Sequence, residues 1–212
     1  MSKLLIGIPS LDYVNIEFVK CLVNLIIRLK AENVDFDVHI ESGTLVYMAR
    51  DKIARRAVNE GYSAVLWLDA DMIFTDTVLE DLQFSGKDFV TGVYHARRPG
   101  YSSCVFSDIN LSHLNRIEPD KYPNNTFEIA GCGFGCVLIS TEIFKQVLYK
   151  YETCFTPMLN IGEDLAFCQR CIDLGIKMYC EPSVVCGHIS HKTIYPEDRE
   201  AWKKEIESCF PM

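Results

Sequence analysis

No run of this 212-residue sequence is apolar for long enough to cross a bilayer. Its most hydrophobic helical stretch, Ile16 to Leu29, is broken by Glu17, Lys20, Asn24 and Arg28, a spacing that suits a buried amphipathic helix. A secretory leader is not expected either. Met1-Ser2-Lys3 runs directly into a strand-like stretch, Leu4 to Ile8, too short for a signal core, so cytoplasmic residence is the expectation. Basic charge is in deficit, with 21 Lys and Arg against 29 Asp and Glu. The resulting net charge of −8 argues against a broad nucleic-acid surface and leaves room for a local basic pocket. Low-complexity segments, internal repeats and the composition of a disordered chain are lacking too. At this length one domain with a sizeable core is expected, 1–212.

Cysteine, by contrast, is plentiful: there are 10. In a cytosolic chain these read as reduced core residues, metal ligands or reactive thiols rather than a disulfide framework. The sequons Asn110-Leu111-Ser112 and Asn124-Asn125-Thr126 then have no bearing.

Apolar runs alternate with helical patterns through the first half, as βαβ units around a parallel sheet require. Strands are predicted at Lys3 to Pro9, Asp35 to Glu41, Ser63 to Leu68 and Asp88 to Tyr94, with helices at Asn15 to Lys30 and about Tyr47 to Glu60. Thr75 and Asp76 are expected to cap a short helix through Phe84. Arg97 to Asn125 reads as loops with a short hairpin. A strand at Cys136 to Ser140, helices at Thr141 to Tyr149 and Gly162 to Leu174, and short strands at Ile176 to Cys180 and Ser183 to Cys186 follow. A terminal helix is expected from Pro196 to about Ser208. The fold class is therefore α/β, a mostly parallel mixed sheet flanked by helices. Within it, regular βαβ units fill about 1–95, a more irregular pattern follows over about 96–191, and 192–212 forms a helix and tail.

In open α/β sheets, ligands bind beyond the carboxyl ends of the parallel strands. Asp69-Ala70-Asp71 lies there, after Ser63 to Leu68, the run that reads as most deeply buried. Two carboxylates flanking a small residue suit a hard divalent cation that keeps waters and shares phosphate oxygens; a solvated acidic turn is the plain alternative. Glu163 and Asp164 open a predicted helix, where the helix dipole alone favours them. In a functional reading they are the catalytic candidates, Asp164 taking a proton from an acceptor hydroxyl. His188, in Cys186-Gly187-His188, is either a hydrogen-bonded structural residue or a cation ligand, with His191 as its competitor.

Taken in order, Ile6-Gly7-Ile8-Pro9-Ser10, Ala49-Arg50-Asp51, Leu66 to Phe74, Gly131 to Phe134, Gly162 to Cys168 and Cys186-Gly187-His188 resemble the family 2-like glycosyltransferases of the GT-A fold, of small bacterial or phage type. The resemblance spans about Lys3 to His191. It implies transfer of a sugar from a nucleotide-diphosphate sugar, UDP- or GDP-linked, to an acceptor hydroxyl whose identity it leaves open. It implies Mn²⁺ or Mg²⁺ as cofactor, and inversion with Asp164 as base. Pro9 and Ser10 should border the base and ribose, Arg50 the nucleotide or its phosphates, and Ala70 the same cleft. Asp71 should be the stronger metal ligand, joined by His188, with Asp69 between ribose and cation. Gly133 should line the sugar or acceptor side. Arg97 and Arg98 bind phosphate or an anionic acceptor, or are solvated loop charges. The family often has Asn where this chain has Asp51.

Two rivals stand beside this reading. Cys168, Cys171, Cys180 and Cys186, with His188, can be arranged on paper as a structural zinc site; against it, Cys168 and Cys171 fall on an amphipathic helical pattern. A nucleotidyltransferase of related fold usually carries a glycine-rich, basic loop after its first strand. Here Pro9-Ser10-Leu11-Asp12-Tyr13 has neither glycine nor Lys or Arg.

Overall fold

Leu4 to Pro9 are all buried, so the first strand has no solvent face and must lie inside a sheet covered on both sides. In the computed structural model, which describes residues 3–97, 100–109 and 114–190, this strand is β1 (Leu4–Pro9). It is followed by α1 (Ile16–Ala31), β2 (Phe36–Glu41), α2 (Val46–Asn59), β3 (Ala64–Leu68), β4 (Met72–Ile73), α3 (Val78–Phe84) and β5 (Phe89–Val93). Then come β6 (Val105–Asp108), β7 (Asn115–Arg116), a 3-10 turn (Pro119–Lys121), β8 (Phe127–Ile129), β9 (Gly131–Cys132) and β10 (Cys136–Ser140). The last described elements are α4 (Thr141–Tyr151), α5 (Glu163–Asp173), β11 (Met178–Val185) and β12 (Gly187–His188).

The central sheet has seven strands in the order β2-β1-β3-β10-β5-β11-β8. β1 pairs in parallel with β2 and β3, and β5 with β11. β10 runs antiparallel between β3 and β5, and β8 antiparallel on the far edge. The sheet is therefore mixed and mostly parallel.

The period-2 alternation of strand side chains divides the interior into two cores. Leu66 and Leu68 face one side with Phe18, Leu22, Leu25 and Leu29 of α1 and Val78 and Leu82 of α3. Val65 and Trp67 face the other with Ile53, Ala54 and Ala57 of α2, Phe144 of α4 and Phe167 of α5. Asn15 caps α1, its side chain accepting the Glu17 N–H at 2.8 Å. Gly7 lets α2 settle on β1, because a Cβ there would stand 2.7 Å from the Ile53 side chain.

Two expectations change, and a third, the short hairpin, is met and extended. The N-cap position of the short helix α3 is Thr77, not Thr75 or Asp76, and its hydroxyl donates to the Asp81 carboxylate at 2.7 Å rather than accepting a helix N–H. The two predicted strands after α5 are one, β11, with a register shift between Cys180 and Val185 that carries Pro182 through the ladder. The segment after Tyr94 holds the β6–β7 hairpin, and β9 joins it to make a three-stranded sheet. The expected helix from Pro196 lies outside the described residues.

Candidate active site

β3 ends at Leu68, and the chain must turn at once because β4 pairs elsewhere. The turn is Asp69-Ala70-Asp71, and its backbone is held from three directions. Asp69 N–H donates to the Gly135 carbonyl at 3.1 Å, Asn15 N–H to the Ala70 carbonyl at 3.3 Å, and Ile189 N–H to the Asp71 carbonyl at 2.8 Å. A cleft of about 460 Å³ opens in front of it, lined by Pro9, Ser10, Asp69, Ala70, Asp71 and Arg97, among others. Tyr13, Leu45 and Val46 give its wall an apolar part.

The two carboxylates face different partners. Asp69 receives the Arg50 Nη2 at 2.8 and 3.2 Å from its two oxygens. Arg50 stems from α2, is 4% exposed, and lies over the rings of Phe134 and Trp67. Its Nε stands 3.6 Å from Glu163. Burial alone pulls the guanidinium pKa down, but the charges of Asp69, Glu163 and Asp164 raise it above the ordinary value. For Asp69, burial outweighs Arg50 and lifts the carboxyl above its usual range. Arg50 thus ties the Asp69-Ala70-Asp71 turn to the start of α5.

Asp71 Oδ2 lies 2.8 Å from Arg97 Nη1 and 3.5 Å from His188 Nε2. The tiny β4–β12 pair creates this meeting, with His188 opposite Met72. The Nδ1 of His188 is 2.8 Å from the His95 carbonyl. A carbonyl only accepts, so Nδ1 is protonated; Nε2 addresses Asp71, donating to it when the ring is charged and free to act as a ligand when the ring is neutral. Burial raises the Asp71 pKa, but the His188 hydrogen bond and charge, with Arg97, bring it below the carboxylate range. Burial lowers the His188 pKa, yet Asp71 and the His95 carbonyl leave it raised.

Asp164 opens α5 beside Glu163, after Gly162 at the N-cap. Its Oδ1 accepts the Leu165 N–H at 2.7 Å. Burial, then the neighbouring Glu163 charge, push its pKa up to about 6, against 3.8 ordinarily. A carboxyl titrating there is poised to exchange a proton near neutral pH.

Gly133 is buried in the strand-to-strand connection ahead of β10 and is absent from the cleft lining. A Cβ there would stand 2.0 Å from the Tyr94 hydroxyl, which accepts the Gly135 N–H at 3.2 Å. Tyr94 in turn packs edge-on against His188. Asp51 binds backbone: its Oδ1 accepts the N–H groups of Cys154 and Phe155 at 2.6 and 3.2 Å, anchoring the loop that leads to α5. Sequence reasoning missed Tyr94 and the His95 carbonyl, since neither lies in a motif and only the fold brings them to His188. Arg98 and His191 lie outside the described residues. Cys168, Cys171 and Cys180 belong to one core and Cys186 to the other, so the four do not converge on one point.

Among the described residues, no group of three or more His, Cys, Asp or Glu side chains is gathered to hold a metal ion. Asp71 and His188 nevertheless make a two-donor pair at 3.5 Å. An oxygen donor and an imidazole nitrogen oriented through its other nitrogen fit a divalent cation that completes its shell with water and phosphate oxygens. No helix among the described residues is long and apolar enough to cross a membrane.

The architecture is that of the GT-A glycosyltransferases. Solved structures similar to this chain include A197 from STIV, 20% identical, with a TM-score of 0.60 over 90% of this chain and 87% of that one. GalNAc-T7 with UDP, GalNAc and Mn²⁺ matches at a TM-score of 0.52 and 13% identity, over 90% of this chain and 44% of that one. A Drosophila β1,4-galactosyltransferase 7 mutant with manganese, UDP-Gal and xylobiose matches at 0.53 and 12%, over 94% and 79%. The mannan polymerase complex subunit MNN9 of Candida albicans is 22% identical over 200 residues, covering 76% of this chain. The chain spans about half, 53%, of that relative's length. No family model matches.

Proposed function

We propose that this chain is a metal-dependent glycosyltransferase, moving a sugar from a nucleotide-diphosphate sugar to an acceptor hydroxyl. The observation that carries the proposal is the convergence of Asp71 and His188 at the carboxyl end of β3, in a GT-A fold, with Asp164 opening the helix that Arg50 links to the same turn. Mn²⁺ with UDP and GalNAc in one similar structure, and manganese with UDP-Gal in another, support the cofactor and the donor class.

In this reading Asp71 and His188 hold the cation, and Asp69, fixed by Arg50, faces the ribose or the cation. When bound, the cation supplies Lewis-acid stabilisation of the departing diphosphate. Pro9 and Ser10 border the base and ribose, Ala70 keeps the turn small, and Tyr13 and Leu45 offer apolar surface at the cleft mouth. Asp164 accepts the proton of the attacking hydroxyl, and its raised pKa makes it a stronger base than an ordinary aspartate. Attack from the side opposite the diphosphate inverts the anomeric carbon. Glu163, beside Asp164 and 3.6 Å from Arg50 Nε, ties the start of α5 to the Asp69 turn.

A thermal-shift screen of UDP, GDP, CDP and their sugars, with and without Mn²⁺, tests the proposal. Stabilisation by one diphosphate that needs Mn²⁺ is the expected result and names the donor base. Indifference to every nucleotide in the presence of Mn²⁺ overturns it.

A further inference from the structure

Each carboxylate of the Asp69–Asp71 turn has its own arginine, and the two arginines differ in the property that decides whether an ion can replace them. Arg50 is 4% exposed and touches both oxygens of Asp69 at 2.8 and 3.2 Å. Breaking the pair would leave a buried guanidinium without one of its counter-charges, so the pair is permanent. Arg97 is 48% exposed and meets Asp71 through one nitrogen at 2.8 Å. Among the described residues it also reaches the Ile189 carbonyl, at a long 3.5 Å. Water recovers most of what such a pair gains, so breaking it is nearly free.

The same Asp71 oxygen is the one that His188 Nε2 approaches at 3.5 Å. Arg97 therefore occupies the Asp71 oxygen that a divalent ion shared by Asp71 and His188 would use, and it does so while lining the cleft. A monovalent guanidinium that meets Asp71 through one nitrogen is a weak competitor for a doubly charged ion that also takes an imidazole nitrogen. Once displaced, its charge is not lost to solvent. It remains on the wall of the cleft, where an anionic diphosphate is the natural partner of a fork of N–H donors.

We propose that Arg97 is an exchangeable counter-ion: it neutralises Asp71 before ligands arrive, gives the carboxylate up to the divalent cation, and then binds the diphosphate. The cation half of this exchange stands on the ion-pair geometry; the diphosphate half rests on the glycosyltransferase reading above. The exchange gives Arg97 opposite effects on two ligands, which neither a structural residue nor a stray surface charge would have.

The test measures Mn²⁺ binding by the loss of the free-ion electron paramagnetic resonance signal, on wild type, Arg97→Ala and Arg97→Lys, first with Mn²⁺ alone and then with UDP or GDP added. Arg97→Ala should bind Mn²⁺ alone roughly two- to fivefold more tightly, because its competitor is gone. The same variant should bind Mn²⁺ with the nucleotide roughly tenfold more weakly, having lost a charged donor. Arg97→Lys should stay near wild type in the first arm. Equal weakening in both arms, or no change in either, overturns the exchange, as does failure of wild type to bind Mn²⁺. If Mn²⁺ binding tightens as expected but neither nucleotide binds any of the proteins, the cation half holds and the glycosyltransferase reading falls. Circular dichroism checks that each variant is folded, which an exposed position makes the expected result.

Discussion

His188 lies opposite Met72 in the β4–β12 pair, and this two-residue ladder is what carries an imidazole to Asp71 from the far end of the described chain. If Asp71 and His188 hold the cation, removing either donor removes the metal-dependent part of nucleotide binding. Asp71→Asn should abolish the Mn²⁺-dependent thermal shift, and His188→Ala should cut it heavily. At nucleotide concentrations about a hundredfold above Kd the lost stabilisation is about 2.7 kcal/mol, several degrees in Tm. An undiminished Mn²⁺-dependent shift in Asp71→Asn would take that residue out of the cation site.

Asp164→Asn should leave nucleotide binding intact and remove transfer. In the wild type, transfer requires the carboxylate form, so kcat/KM should fall roughly tenfold per pH unit below a pKa of about 6 and level off above it. A flat profile between pH 4.5 and 7 would deny Asp164 the role of base.

The same residue carries a stability signature of opposite sense. Its folded-state pKa of about 6 lies above the ordinary 3.8, so the folded chain holds the proton more tightly than the unfolded one. Between those values rising pH therefore costs stability, and the penalty is complete above about 6. Asp164→Asn, which cannot ionise, should be more stable than wild type at pH 7.5 by about 1–3 kcal/mol. The gain should vanish below pH 4. Urea denaturation at the two pH values measures it.

Arg50 has no such trade-off. Arg50→Ala strands Asp69 and Glu163 and empties space over Phe134, and should cost on the order of 3 kcal/mol of unfolding free energy. Adding Asp69→Asn to Arg50→Ala should restore part of that, since the stranded charge is then gone. A double variant no more stable than Arg50→Ala would separate the two side chains energetically.

Gly133→Ala tests close packing rather than charge. Its Cβ would meet the Tyr94 hydroxyl at 2.0 Å but the ring carbon beneath it at 3.0 Å. Overpacking of this kind costs about 1–3 kcal/mol. Tyr94→Phe in the same chain should recover most of the loss, because it deletes the atom in collision. Thermal melts of the three variants decide it.

The alternation of buried strands with amphipathic helices was legible because burial writes itself locally: a strand covered on both faces must be apolar throughout, as Ala64–Leu68 is, and a helix on a sheet must carry a stripe, as Phe18, Leu22, Leu25 and Leu29 do. β4, β9 and β12 left no such trace, since two residues are too few to show a period and their pairing depends on partners distant in the chain. The merger of two predicted strands into β11 went unseen for a related reason: Pro182 reads as a breaker unless the neighbouring strand is known to tolerate a register shift.

For the candidate site the division is similar. Residue type and position after a buried strand were enough to single out Asp69, Asp71, Asp164 and His188, because carboxylates and imidazoles at strand and helix ends are readable one at a time. Which cation each acid faces was not. Arg50 became a buried partner of Asp69, and Arg97 an exposed partner of Asp71, only through α2 packing under the β3 turn and the chain after β5 passing over it. The sequence by itself determined the chemistry available to the site; tertiary structure decided its pairing, because Coulomb energy and desolvation depend on distance and burial, neither of which is a property of a residue alone.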